Sequence, residues 1–211
     1  MNNITEEIKA TLQSGRVKIL KEQIAQALEQ GVSADEIMTD GLLAGMSIVG
    51  NKFKNGEAFI PEVLIAARCM NAGMEQLKPV LQGGETNAAG KLVIGTVKGD
   101  LHDIGKNIVK IMMEAKGFEV IDLGVDVAPE RFVDTAIEVG ARIICCSALL
   151  TTTMPVMRDV VEYAKEKGVR DQLIIMVGGA PITQKFCDDI GADIYTVDAA
   201  SAADAAVAAI A

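Results

Sequence analysis

Apolar residues recur along this chain with two different periods, and the change of period divides it. From Val17 onward, Leu20, Ile24, Ala27 and Leu28 fall at helical spacing up to Gly31, the three-and-four step that one buried face of an α-helix requires. Ser33-Ala34-Asp35-Glu36 is a capping-box sequence, in which the serine and glutamate side chains satisfy N–H groups of the first turn. It predicts a helix running towards Phe53. After the turn at Asn55-Gly56, Pro61 suits a first helical turn, and Val63, Ala67, Met70, Met74, Leu77 and Leu81 step by four and three. That is the stripe of a bundle helix. With a short helix from about Thr5 to Gln13, the pattern predicts a four-helix bundle over residues 1–82.

Residues 83–90, Gly-Gly-Glu-Thr-Asn-Ala-Ala-Gly, are small, polar and rich in glycine, and read as a linker between domains. Over residues 91–211 the rhythm differs. Apolar runs of strand length, Lys91 to Val97, Phe118 to Leu123, Arg142 to Ala148, Leu173 to Val177 and Asp193 to Val197, alternate with helical stretches. Strands that are apolar on nearly every residue suit a parallel sheet covered on both faces, so the fold class is α/β, a flavodoxin-like (Rossmann-like) five-stranded domain. In the order 2-1-3-4-5 the chain reverses between strands 1 and 3, and ligands bind beyond the carboxyl ends of the strands at this switch point. The loops beginning near Lys98 and Ser147 are therefore where a site is expected.

Composition narrows the function. Half the residues are hydrophobic, aromatics make up 3% with no Trp, and so aliphatic and Met side chains must fill the cores. A net charge of −9 argues against a nucleic-acid partner, whose phosphates demand clustered Lys and Arg. No stretch approaches the roughly 18 apolar residues that span a bilayer, and the N-terminal segment lacks the basic-then-apolar order of a signal peptide; a cytoplasmic protein away from membranes is expected. Cys69, Cys145, Cys146 and Cys187 form no CxxC pair, which points to neither a zinc site nor a disulfide framework. Cys145 and Cys146, inside an apolar run, read as small core residues.

The loop after strand 1, from Lys98 to Asn107, holds the only histidine, His102, between Asp100 and Asp103. Imidazole is the commonest transition-metal ligand, and a ligating histidine usually gives its other ring proton to a carboxylate, for which Asp100 is placed. A surface or capping cluster is the alternative. The loop after strand 3, Ser147 to Pro155, carries Thr151, Thr152 and Thr153, hydroxyls that either line a narrow polar slot or cap the next helix. Strand 4 ends in Gly178-Gly179, where missing side chains let a ligand approach the backbone, or simply make a tight turn.

Taken together, Asp100-x-His102-x-x-Gly105, then Ser147-x-Leu149, then Gly178-Gly179 resemble the cobalamin-binding signature shared by methionine synthase, the corrinoid proteins of methanol, methylamine and betaine methyltransferase systems, and some mutases. The helical region adds to the likeness. Gly45-Met46-x-x-Val49-Gly50-x-x-Phe53-x-x-Gly56-Glu57-x-Phe59-Ile60-Pro61-x-Val63 is similar to the cap-bundle sequence of the methyl-transferring branch.

The resemblance implies a bound cobalamin or related corrinoid with its own base pulled off the cobalt, His102 taking the vacated lower position. Asp100 then hydrogen-bonds to His102, with Thr153 as the hydroxyl member of the relay. Asp103, Ile104 and Gly105 contact the cofactor, Ser147, Leu149 and Thr151 line the slot for its nucleotide tail, and Gly178 and Gly179 let that tail pass. Phe53, Phe59, Ile60 and Val63 are implied cap contacts over the corrin, the alternative for each being bundle core. The implied function is a methyl carrier, not catalytic alone, that cycles between cobalt(I) and methylcobalt(III). It takes methyl groups from a substrate-specific methyltransferase subunit and gives them to an acceptor methyltransferase serving tetrahydrofolate or a thiol, with a reductive activase as a further partner. The small cobalamin-binding subunit of an adenosylcobalamin-dependent mutase shares Asp-x-His-x-x-Gly and is the rival; the preceding bundle counts against it. A cobalamin-sensing regulator would need an output module. A flavodoxin-like domain without cofactor chemistry would leave the agreement of three loops to chance.

Overall fold

The helical stripe predicted from Val17 closes on itself in space. In the computed structural model, which describes residues 4–81 and 89–211, Leu20, Ile24 and Ala27 of α2 (Val17–Glu29) are fully buried. They share a core with Ile8 and Leu12 of α1 (Ile4–Gln13) and with Val63 and Leu77 of α4 (Ile60–Leu77). Each leucine, isoleucine or valine among them contributes about 1.5–3 kcal/mol by leaving water. Between α2 and α4 runs α3, an α-helical turn at Ala34–Glu36, a π-helical stretch at Ile37–Leu43 and an α-helical stretch at Ala44–Lys54. The serine half of the predicted capping box is present: Ser33 Oγ accepts from the Glu36 N–H at 3.1 Å. The entry to α4 is held by the Glu62 carboxylate, which accepts from the Phe59 N–H at 2.8 Å, with Pro61 in the first turn.

The chain divides into two compact units, residues 1–87 and 88–211. The expected linker, apart from Ala89 and Gly90, lies outside the described residues. The second unit is a five-stranded parallel sheet in the order β2-β1-β3-β4-β5, with β1 at Gly90–Thr96, β2 at Phe118–Asp122, β3 at Ile143–Ser147, β4 at Ile174–Gly178 and β5 at Ile194–Tyr195. The connecting helices are α5 (Ile104–Ala115), α6 (Pro129–Val139), α7 (Pro155–Glu166) and α8 (Gln184–Ile190), and α9 (Ala199–Ile210) ends the chain. The apolar runs located the strands to within a residue or two, except that β5 is shorter than its run.

Alternation along the strands supplies both faces. Val93, Ile144, Cys146, Ile175 and Val177 pack with Phe132 of α6, Val160 of α7 and Cys187 of α8 in one buried cluster. Leu92, Ile94, Ile143, Cys145 and Met176 point the other way, where α5 packs on β1 and β2 and α9 packs on α5. Gly95 is a glycine because Phe132 sits over it: a Cβ there would lie 2.8 Å from the ring. The four cysteines are free and buried, and burial pushes the Cys145 thiol up to about 12, so it serves as packing. Among the described residues no helix is long and apolar enough to cross a membrane.

Candidate functional site

The parallel register sets Thr96, Ser147 and Gly178 side by side at the carboxyl ends of β1, β3 and β4. The three loops singled out in the sequence therefore leave the sheet from one edge. Beyond Thr96 the chain turns at once: the Val97 carbonyl accepts from the Asp100 N–H at 3.1 Å, and Gly99 takes φ 84°, as the third position of a type II turn requires. The Val97 N–H donates to the Ser147 carbonyl at 3.0 Å, tying this turn to the end of β3.

Asp100, fully buried, is the hub. Its Oδ1 lies 2.7 Å from His102 Nδ1 and accepts from the His102 N–H at 3.1 Å. Its Oδ2 accepts from the Leu149 N–H at 2.7 Å, the Leu150 N–H at 3.2 Å and the Thr153 hydroxyl at 2.9 Å. Burial alone would raise this carboxyl. The bonds from Leu149, His102 and Thr153 outweigh it and hold Asp100 well below the usual carboxylate range. An ionised Asp100 can only accept, so Nδ1 carries the ring proton, and a neutral His102 presents its lone pair at Nε2. The His102 side chain is half exposed while Asp100 is not.

A carboxyl depressed in the folded state gives stability that is complete above its unfolded value and is lost as pH falls through the folded one. The α/β unit should thus lose stability progressively below about pH 4. In Asp100→Asn the acid limb of a plot of thermal midpoint against pH should be shallower than in wild type. Equal slopes would mean that Asp100 is not held ionised.

The threonine loop divides its tasks. Thr153 is buried and faces Asp100, and its hydroxyl also has the Leu150 carbonyl at 2.9 Å; α7 starts at Pro155 with no side-chain cap, so Thr153 does not cap that helix. Leu149, Leu150, Thr151, Asp103, Ile104 and Gly105 are exposed around the same loops. Gly178 and Gly105 face open space, whereas a Cβ on Gly179 would lie 1.8 Å from the Ala148 carbonyl oxygen. In the helical unit Phe59 and Ile60 are exposed, Phe53 is half-buried and Val63 is fully buried.

Sequence reasoning missed the residues that brace this site. Thr96, buried in β1, donates through Oγ1 to the His102 carbonyl at 2.9 Å. Lys106, buried at the start of α5, reaches both oxygens of Asp122 at 2.7 and 2.8 Å and Asn107 Oδ1 at 2.8 Å, fixing the far end of the His102 loop to β2. Lys106 stands in the loop that the sequence selected, but its partner is 16 residues away, and only the pairing of β1 with β2 brings them together.

These residues fit a corrinoid. Among the described residues no group of three or more His, Cys, Asp and Glu could hold a metal ion; the donor set is one oriented imidazole, which suits a metal that brings its own macrocycle. Leu101, Ile104, Leu149 and Leu150 are large apolar side chains exposed on the loops around it, apolar surface that a ligand's burial would stabilise.

Comparison with known proteins agrees. Residues 90–208 match a family model described as a B12 binding domain, and residues 4–78 match a second model of the same description. The chain is 44% identical to dimethylamine corrinoid protein 1 of Methanosarcina acetivorans, over 93% of this chain and 94% of that protein. It is 47% identical to trimethylamine corrinoid protein 1 of the same organism, over 84% and 83%. Among solved structures, the methanol:cobalamin methyltransferase complex MtaBC from Methanosarcina barkeri contains a chain that matches with a TM-score of 0.92 and 29% identity, covering all of this chain and 80% of that one.

Proposed function

The chain belongs to the B12-binding family of corrinoid proteins found in methyltransferase systems, and from this premise we propose that it is the methyl carrier of such a system, with His102 as the lower ligand of cobalt. It binds a corrinoid. That cofactor supplies a cobalt able to take up a methyl group in its low oxidation state and give it up again, chemistry no side chain offers. The observation that carries the reading is the Asp100 carboxylate: it is satisfied from the β3 side and still engages His102 Nδ1 at 2.7 Å, leaving Nε2 as the one nitrogen free to ligate.

The protein's part is to set the strength of that nitrogen. A carboxylate on Nδ1–H raises the basicity of Nε2 and fixes the ring's orientation. The Thr153 hydroxyl has one proton and two acceptors, Asp100 Oδ2 and the Leu150 carbonyl, both at 2.9 Å. Rotating that proton from Oδ2 to Leu150 makes Asp100 more basic and draws the Nδ1 proton closer, with no heavy atom moving. Ser147, Leu149, Thr151, Gly178 and Gly179 serve the nucleotide tail, and Asp103, Ile104 and Gly105 the corrin edge. Among the exposed apolar side chains of the helical unit, Phe59 and Ile60 are the ones the resemblance assigns to covering a methyl group, with Phe53 partly exposed; Val63 is fully buried and belongs to the bundle core instead.

The partners proposed are a substrate-specific methyltransferase subunit, an acceptor methyltransferase delivering to tetrahydrofolate or a thiol, and a reductive activase that restores the low oxidation state. Methylamine systems are favoured as donors, because the relatives at 44% and 47% identity are dimethylamine and trimethylamine corrinoid proteins. The test loads the chain with methylcobalamin and adds a thiol-accepting or tetrahydrofolate-accepting methyltransferase. Stoichiometric methyl loss, dependent on the acceptor enzyme, is the expected result. Tight, selective retention of adenosylcobalamin with no methyl transfer to either acceptor would contradict it and favour a radical mutase subunit.

A further inference from the structure

Among the described residues, Asp126 is the one residue other than glycine with a left-handed backbone, at φ 55°. Asp and Asn enter that region more readily than other L residues, but it is disfavoured for them too. An exposed loop carboxylate has no need of it. Asp126 lies in the loop after β2, and that loop is laced to β1 on both sides of it: the Thr96 N–H donates to the Gly124 carbonyl at 2.9 Å, and the Val127 N–H donates to the Thr96 carbonyl at 3.0 Å. Held there, Asp126 reaches the turn that carries the site through two groups at once. Its N–H donates to the Asp100 carbonyl at 3.1 Å, and its carboxylate Oδ1 accepts from the Gly99 N–H at 2.7 Å.

We propose that Asp126 is a positioning residue for His102: in its left-handed conformation it grips Gly99 and Asp100 by backbone and side chain together, fixing the base of the Asp100 side chain so that Oδ1 meets Nδ1 of the imidazole. It acts through Asp100. The β2 loop is thereby part of the ligand-orienting assembly, alongside Thr96, which holds the His102 carbonyl from β1. Because the strained backbone persists only where surrounding contacts over-determine it, the two bonds and the conformation support each other. For its functional meaning the proposal rests on the reading of His102 as the cobalt ligand; the orientation itself does not need the cofactor.

His102 is the only histidine in the chain, so protein labelled with 15N-histidine gives a single imidazole pair that needs no assignment. At a pH where the ring is neutral, the full chain without cofactor should show Nδ1 as the protonated nitrogen and Nε2 as the bare one. In Asp126→Ala the two resonances should move towards each other as the tautomer preference weakens. Asp126→Gly keeps the backbone conformation without the carboxylate and should share that convergence. Asp126→Asn retains an acceptor oxygen and tolerates the left-handed region, and should restore the wild-type pair. Wild-type ring signals in both Ala and Gly variants would overturn the proposal, as would a lowered thermal midpoint with an unchanged imidazole pair, which marks a merely structural role. If the Ala variant fails to fold, the Gly and Asn variants decide between the same outcomes. Adding methylcobalamin to wild type in the dark separates the two claims: an unmoved Nε2 resonance would refute ligation while the comparison among cofactor-free variants still judges Asp126.

Discussion

Asp100→Ala should destabilise the α/β unit by about 3 kcal/mol and abolish coordination by His102, the two effects arising from opposite oxygens of one carboxylate. On the Oδ2 side the Leu149 N–H, the Leu150 N–H and the Thr153 hydroxyl lose their shared acceptor. A buried donor left unsatisfied costs about 1–3 kcal/mol, and water entering the space offsets part of the sum. On the Oδ1 side His102 loses the group that selects its tautomer. Urea unfolding followed by circular dichroism measures the first effect, since the chain has no Trp. Asp100→Asn separates the two. Its oxygen can replace Oδ2, but its NH2 then faces both the His102 N–H, which loses its acceptor, and Nδ1, which must accept, so the ring proton moves to Nε2, where it blocks ligation. An Asn variant less destabilised than Asp100→Ala, with lost imidazole coordination, is the expected outcome. An Asn variant that still coordinates through His102 would show that the carboxylate does not set the tautomer.

Gly179→Ala should be the most damaging single methyl that can be added to this sheet edge. At φ 134° the backbone of Gly179 lies where L side chains rarely go, and its Cβ would stand 1.8 Å from the Ala148 carbonyl oxygen. Neither atom can yield without moving β3 or the start of the β4 loop. The conformational term alone is about 1–3 kcal/mol, and the overlap adds to it. Gly178→Ala, one residue earlier, meets nothing within 4 Å and should leave stability within about 0.5 kcal/mol of wild type, as a surface change does, while weakening corrinoid binding if the tail passes there. Thermal denaturation of the cofactor-free variants and titration with cobalamin give both quantities. Equal stability of the two variants would remove the steric account of Gly179; full binding by Gly178→Ala would remove that residue from the tail site.

The contrast between these neighbours shows where sequence reading stops. Gly178-Gly179 was legible as a place with no side chains, and the order of strands put it beside Ser147 and Thr96. Which glycine is demanded by the protein's own backbone, and which leaves room for a ligand, depends on a carbonyl in another strand. The strands were legible because a sheet covered on both faces needs apolar runs, and Asp100 with His102 because they lie two residues apart. Leu149, Leu150 and Thr153 bond to Asp100 across 49, 50 and 53 residues; the family resemblance implied the Thr153 contact, but no local pattern carries the two backbone pairings. The π-helical stretch at Ile37–Leu43 keeps its apolar residues close to ordinary helical spacing and so reads as α-helix. Asp126 looks like any loop acid until its φ is known. Val63 and Phe59 were alike as apolar residues near a turn, but one is fully buried and the other is exposed, because only Val63 falls on the inward stripe of α4.

The central claim is a bond between His102 Nε2 and cobalt. Its most direct measurement is the visible spectrum of the chain loaded with methylcobalamin, wild type against His102→Ala, at neutral pH. Wild type should absorb as a cobalt ligated from below by nitrogen, and His102→Ala should bind the cofactor yet shift to the spectrum of methylcobalamin with no lower nitrogen ligand. Identical spectra from the two loaded proteins would contradict the account.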